Sequence, residues 1–142
     1  MKVLYRTSAQ ATGGGREGKS GTVDGHFSAV LSTPKELGGG GGAGTNPEQL
    51  FATGYAACFL GALRFVAGKE KVKLPDDTTV TASVGIGPRD DGTGFSIEAA
   101  IEASIPGFDK AQAEDLVAKA HVVCPYSEAT RKNLDVAVTT AV

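Results

Sequence analysis

Asn46-Pro47-Glu48-Gln49-Leu50-Phe51-Ala52-Thr53-Gly54-Tyr55-Ala56-Ala57-Cys58-Phe59-Leu60-Gly61-Ala62-Leu63-Arg64-Phe65-Val66-Ala67-Gly68 is the stretch that decides the fold class. Asn46 suits an N-cap, Pro47 the first helical position, and Gln49 follows three residues after the cap. The helix is expected to run to about Gly68, ahead of the charged residues 69–73 and Pro75. Ala52, Gly54, Ala56, Ala57, Gly61 and Ala62 make its interior small. Glycine lowers intrinsic helix stability, but small side chains let another backbone approach closely. The expectation is a central helix buried on most sides.

Strands flank this helix on both sides. Residues 2–7 are rich in β-branched and aromatic side chains and read as a strand, broken by Gly13-Gly14-Gly15, which puts Arg16 and Glu17 on or beside a turn. Thr22-Val23-Asp24-Gly25-His26-Phe27 carries the Asp-Gly signal of a hairpin, and Phe27, Ala29 and Leu31 alternate beyond it. The five glycines 38–42 sit in a loop over 34–45 whose spacing fits neither a P-loop nor a dinucleotide fingerprint. After the helix, Val80, Ala82, Val84 and Ile86 alternate, then Phe95, Ile97, Ala99, Ile101, Ala103 and Ile105, joined by Asp90-Asp91-Gly92-Thr93-Gly94. Asp109 caps a second helix that should break near Cys124, because Pro125 follows. A helical turn over 128–132 leads into a last strand with Leu134, Val136 and Val138. The order is βββ–α–ββ–α–β, an α+β chain with mainly antiparallel pairing.

The 142 residues suit one domain, 1–142, with an ordinary apolar share of 41%. A net charge of −2 argues against nucleic acid or an anionic membrane as partner. No N-terminal stretch reads as a signal, and no later run is expected to span a bilayer. The cytoplasm is the expected location, where both cysteines should rest as thiols.

Those cysteines, Cys58 and Cys124, stand 66 positions apart, so only folding can unite them. One reading is two unrelated core residues, since free cysteine is often buried. The other is a redox pair, one thiol oxidised by substrate and the other resolving it. Free cysteine is only about 3% thiolate at pH 7, so a nucleophile needs a nearby cation. Cys58 lies mid-helix, where the macrodipole does little, and Arg64, six residues on, faces about 240° away. Its cation must come from outside the helix. Cys124 ends a helix, where the dipole opposes ionisation. Cys58 is thus the better nucleophile if an arginine meets it, and Cys124 the better resolving thiol.

Three motifs then carry a resemblance: Thr45-Asn46-Pro47-Glu48-Gln49-Leu50-Phe51, Gly54-Tyr55-Ala56-Ala57-Cys58-Phe59 and Val123-Cys124-Pro125-Tyr126-Ser127-Glu128-Ala129-Thr130-Arg131. In this order they closely resemble the organic hydroperoxide resistance (Ohr) proteins of the OsmC superfamily, over essentially the whole chain. The resemblance implies an OsmC-like α+β fold, an intertwined homodimer and a thiol peroxidase without a cofactor. It maps the peroxidatic cysteine onto Cys58, the resolving cysteine onto Cys124, the carboxylate onto Glu48 and the arginine onto Arg16, with Arg6 and Lys19 as substitutes. One departure is the triple glycine before Arg16. The implied partners are an organic hydroperoxide and a dithiol reductant such as a lipoylated protein. Phe51, Tyr55, Phe59 and Phe65 could line an apolar substrate pocket, though core packing explains them equally well.

Glu48 and Cys58 are ten residues apart, about 15 Å of rise on one helix, so Glu48 of one subunit could serve Cys58 of another. Two alternatives remain at this level. A zinc site from His26, Cys58, His121 and Cys124 lacks the paired-ligand spacings of structural zinc domains. A redox sensor would cycle the same disulfide without turnover.

Overall fold

The alternating segments after the long helix pair as expected. In the computed structural model, which describes residues 1–142, β4 (Thr79–Pro88) and β5 (Phe95–Ser104) form an antiparallel hairpin in register from Thr79 opposite Ser104 to Pro88 opposite Phe95. Its turn is closed by the Arg89 N–H donating to the Gly94 carbonyl at 2.8 Å, with Asp91 accepting from the Thr93 N–H. The last strand, β6 (Val136–Ala141), joins β5 in parallel. The period of two puts Ala99, Ile101, Ala103 and Ile105 on one buried face.

The chain divides into two units, Met1–Leu50 and Phe51–Val142. In the second, the sheet β4–β5–β6 is covered by α1 (Pro47–Lys69), α2 (Lys110–Val123) and the short α3 (Pro125–Thr130). Helical spacing brings Tyr55, Phe59, Ala62, Leu63, Val66 and Ala67 of α1 into the core, with Ala113, Leu116, Val117 and Ala120 of α2. Both caps form: Asn46 Oδ1 accepts from the Gln49 N–H at 2.8 Å, and Asp109 Oδ1 from the Gln112 N–H at 3.1 Å.

In the first unit, β1 (Ala9–Thr12), β2 (Lys19–Thr22) and β3 (Ser28–Val30) make an antiparallel meander. The Asp-Gly turn lies between β2 and β3, with Gly25 at φ +79° and Asp24 accepting from the His26 N–H. Leu31 bridges to Thr45, tying down the ends of the glycine-rich segment.

Four expectations change. Residues 1–8 form no strand and are exposed; the first strand is Ala9–Thr12, which faces β2 across the glycine turn. α2 ends at Val123 with Cys124 extended before Pro125, as expected, but the last short helix is Pro125–Thr130, not 128–132, because Pro125 also serves as its first residue. α1 buries one face only: Thr53, Ala57, Gly61, Arg64 and Phe65 are exposed. α1 is also long and apolar enough to cross a membrane by length and composition, contrary to the sequence reading; Tyr55, Phe59, Leu63 and Val66 on its buried face are packed in the core described above.

Candidate active site

The first constellation lies in Met1–Leu50. Arg16 sits in a single 3-10 turn, Gly15–Glu17, between β1 and β2. Gly13 and Gly15 take φ +73° and +65°, and a Cβ on Gly18 would stand 1.9 Å from the Thr12 carbonyl oxygen. The turn therefore needs glycine on both sides of the arginine. Beside it, Glu17 Oε1 accepts from the Thr33 N–H at 2.9 Å and fixes the turn's outer edge. Arg16 then meets Glu48 in a two-pronged pair, Nη1 to Oε2 at 2.9 Å and Nη2 to Oε1 at 2.7 Å. Both residues belong to one chain, Glu48 from the first turn of α1.

Hydrogen bonding from Arg16 holds the Glu48 carboxyl below the usual carboxylate range, against the opposing effect of its burial. The same bond raises Arg16. Only two of the five guanidinium N–H donors face Glu48, and the side chain is 40% exposed, so part of the fork stays open to a ligand. Arg6 lies in the exposed segment 1–8 and Lys19 is exposed on β2.

The second constellation lies in Phe51–Val142. Cys58, half-buried on α1, and Cys124, fully buried, are free thiols with their sulfurs 3.6 Å apart. Folding unites the two thiols that the sequence separates. Cys124 is the C-cap of α2 and the N-cap of α3, held extended at ψ 123° as the residue before a proline. It therefore stands at a helix start as well as a helix end. Burial pushes the Cys58 thiol up; the Tyr126 backbone N–H works in the other direction, and the Cys124 thiol adds to the rise. The local environment thus favours the thiol, the reverse of what a resting nucleophile needs.

Around the cysteines, Phe51, Tyr55 and Tyr126 form a ring cluster with centroids 5.7 to 6.0 Å apart. Gly54 makes room for it, since a Cβ there would meet the Tyr126 hydroxyl at 2.9 Å. Phe59 is buried instead in the core, 6.3 Å from the His121 ring. Phe65 is exposed, with the Lys69 amine 4.7 Å from its ring centre. Of the four aromatics expected at a pocket, two join the cluster and two do not. His26 pairs with Asp24 in its own turn, and no three His, Cys, Asp or Glu side chains group as metal ligands.

The family model for OsmC-like proteins matches residues 39–139, which include both cysteines and Glu48. The chain belongs to the OsmC-like family. Within that family it is 56% identical over 140 residues to the organic hydroperoxide resistance protein of Xanthomonas axonopodis pv. citri, covering 99% of this chain and 96% of the relative. Its fold is similar to the crystal structure of an organic hydroperoxide resistance protein OsmC from Legionella pneumophila, with a TM-score of 0.92, 48% identity, and coverage of 99% and 100% of the two chains. It is also similar to the structure of OhrB from Bacillus subtilis, with a TM-score of 0.86, 36% identity, and coverage of 97% and 99%.

The OsmC-like fold adds residues that the sequence reading left out. Tyr126 contributes a ring and a backbone N–H; Ser127 is fully buried, its hydroxyl 2.9 Å from that of Tyr55. The available signal was Pro125: read as the first residue of a helix, it places 126 and 127 in the first turn, beside Cys124.

Proposed function

We propose that the chain is a cysteine-based peroxidase that reduces organic hydroperoxides to alcohols. The observation that carries this reading is the 3.6 Å approach of two free thiols in a family whose named relatives confer organic hydroperoxide resistance. Cys58 thiolate attacks the O–O bond, becoming a sulfenic acid while the alkoxide leaves and takes a proton. Arg16, oriented by Glu48, is the cation assigned to this step. It stabilises first the thiolate and then the charge on the departing oxygen. Its two-pronged pair with Glu48 supports that role by fixing the plane of the guanidinium.

Cys124 then attacks the sulfenic sulfur, forming the disulfide and releasing water. An external dithiol, such as that of a lipoylated protein, reduces the disulfide and leaves as its own disulfide. The Phe51, Tyr55 and Tyr126 cluster offers an apolar surface beside the sulfurs, which favours an alkyl or aryl peroxide over hydrogen peroxide. The working unit is a homodimer in the cytoplasm, joined through the small-residue face of α1.

The test compares cumene hydroperoxide with hydrogen peroxide, using dihydrolipoamide as reductant. Wild-type protein should consume the organic peroxide faster, Cys58→Ser should be inert, and Cys124→Ser should complete one turnover and stall. Disulfide formation without steady consumption would instead identify a redox sensor.

A further inference from the structure

We infer that Tyr55 and Ser127 are positioning residues, a buried hydroxyl latch that holds Cys124 in place for disulfide closure with Cys58. The inference rests on the reading above in one respect only, that the two cysteines form a disulfide.

Cys124 has no element of its own: it is the junction between α2 and α3, so its sulfur goes where α3 goes. Two sets of bonds hold that helix. On the exposed side, Arg131 donates to the His121 and Val122 carbonyls at 2.8 and 3.3 Å, tying the end of α3 to the end of α2. On the buried side, the Tyr55 hydroxyl lies 2.9 Å from that of Ser127 and 3.5 Å from that of Thr130. Thr130 spends its proton on the Tyr126 and Ser127 carbonyls, at 3.0 and 3.2 Å. Tyr55 and Ser127 are both fully buried, so neither hydroxyl can exchange its partner for water without leaving an unpaired polar group.

The latch and the thiol contact join the same two elements. Tyr55 and Cys58 are three residues apart on α1; Cys124 and Ser127 are three apart across the start of α3. Holding Ser127 therefore holds Cys124 opposite Cys58. Closure shortens the sulfur separation from 3.6 Å to a bond of about 2.05 Å, a movement small enough for side-chain rotation while α3 stays fixed. In that step the Cys124 sulfur bonds to the Cys58 sulfur of the sulfenic acid, and the sulfenic hydroxyl leaves with the Cys124 proton as water. The rate and the equilibrium both depend on how tightly Cys124 is confined. An aromatic ring alone would fill the space at position 55, so packing does not account for the hydroxyl pair.

The test uses full-length Tyr55→Phe and Ser127→Ala, so that one variant suffices if the other fails to fold. The Cys58–Cys124 couple is equilibrated in dithiothreitol redox buffers without peroxide, and closure is timed separately after oxidation with one equivalent of cumene hydroperoxide. We expect each variant to shift the equilibrium toward the dithiol by about fivefold, the worth of one net hydrogen bond, or about 20 mV at about 30 mV per tenfold change. Closure should slow by a similar factor, while Cys58 alkylation is unchanged and the double variant adds nothing.

An unchanged equilibrium, a shift toward the disulfide, or equal loss of thermal stability in the dithiol and disulfide forms would overturn the latch. The two readings fail separately. A latch effect in the buffers without peroxide turnover sinks the peroxidase and keeps the latch; a wild-type chain that forms no disulfide in the buffers sinks the latch itself.

Discussion

At the scale of single residues, the proposed role of Arg16 can be tested through the titration of Cys58. Burial raises the Cys58 pKa, and one backbone N–H is the only opposing influence on it within its own unit. If Arg16 supplies the missing charge, Arg16→Ala should leave Cys58 titrating above the ordinary thiol range. Wild type should titrate lower, with at least tenfold faster peroxide reduction at neutral pH. The thiolate absorbance followed against pH measures this, and equal titration in both proteins removes Arg16 from the role. Glu48 gives a second test, with the sign fixed by its lowered pKa. A carboxyl depressed in the folded state adds stability above its ordinary range and loses it as pH falls through the folded value. The stability of wild type minus that of Glu48→Gln, from urea unfolding, should therefore be constant near neutrality and shrink in acid. A difference that grows on acidification contradicts the pairing.

Among the elements, those with an unambiguous local signal were legible in sequence: α1 through Asn46 and Pro47, the β4–β5 hairpin through its period of two, and α2 through Asp109. At the N-terminus pairing overrode composition. Residues 2–7 have strand-forming side chains and no strand to pair with, while Ala9–Thr12 has weak strand formers and pairs because the glycine turn folds it onto β2. Spacing alone left the Cys58–Cys124 pairing a possibility, because a separation of 66 residues carries no geometry of its own; the motifs around each cysteine pointed to it. The burial that raises the Cys58 pKa left no local mark at all. The turn around Arg16 can be tested as an element. Gly18→Ala drives a Cβ into the Thr12 carbonyl and should displace the 3-10 turn. Peroxide reduction should fall at least tenfold while disulfide formation in redox buffer, confined to Phe51–Val142, continues; full activity would show that the turn does not position the arginine.

For the whole molecule the open question is what covers the outer face of α1. The motifs identify the family, but neither they nor the fold of one chain contains a partner, and the small residues read as burying the helix instead leave Ala57 and Gly61 exposed. Gly61 discriminates between a solvated face and a dimer contact. Nothing lies within 4 Å of a Cβ built there, so an isolated chain would accept alanine freely. Alanine in place of a mid-helix glycine should then stabilise the chain by about 1 kcal/mol through propensity alone. A second copy packed against this face reverses the sign, because the added methyl meets the partner's backbone. We therefore expect wild type to sediment at twice 14.4 kDa, and Gly61→Ala to weaken the dimer and lower the melting temperature. Gly61→Leu should weaken it further and reduce peroxide turnover. A monomeric wild type, or a Gly61→Ala protein that melts higher at every concentration, leaves this face to solvent and the site to one chain.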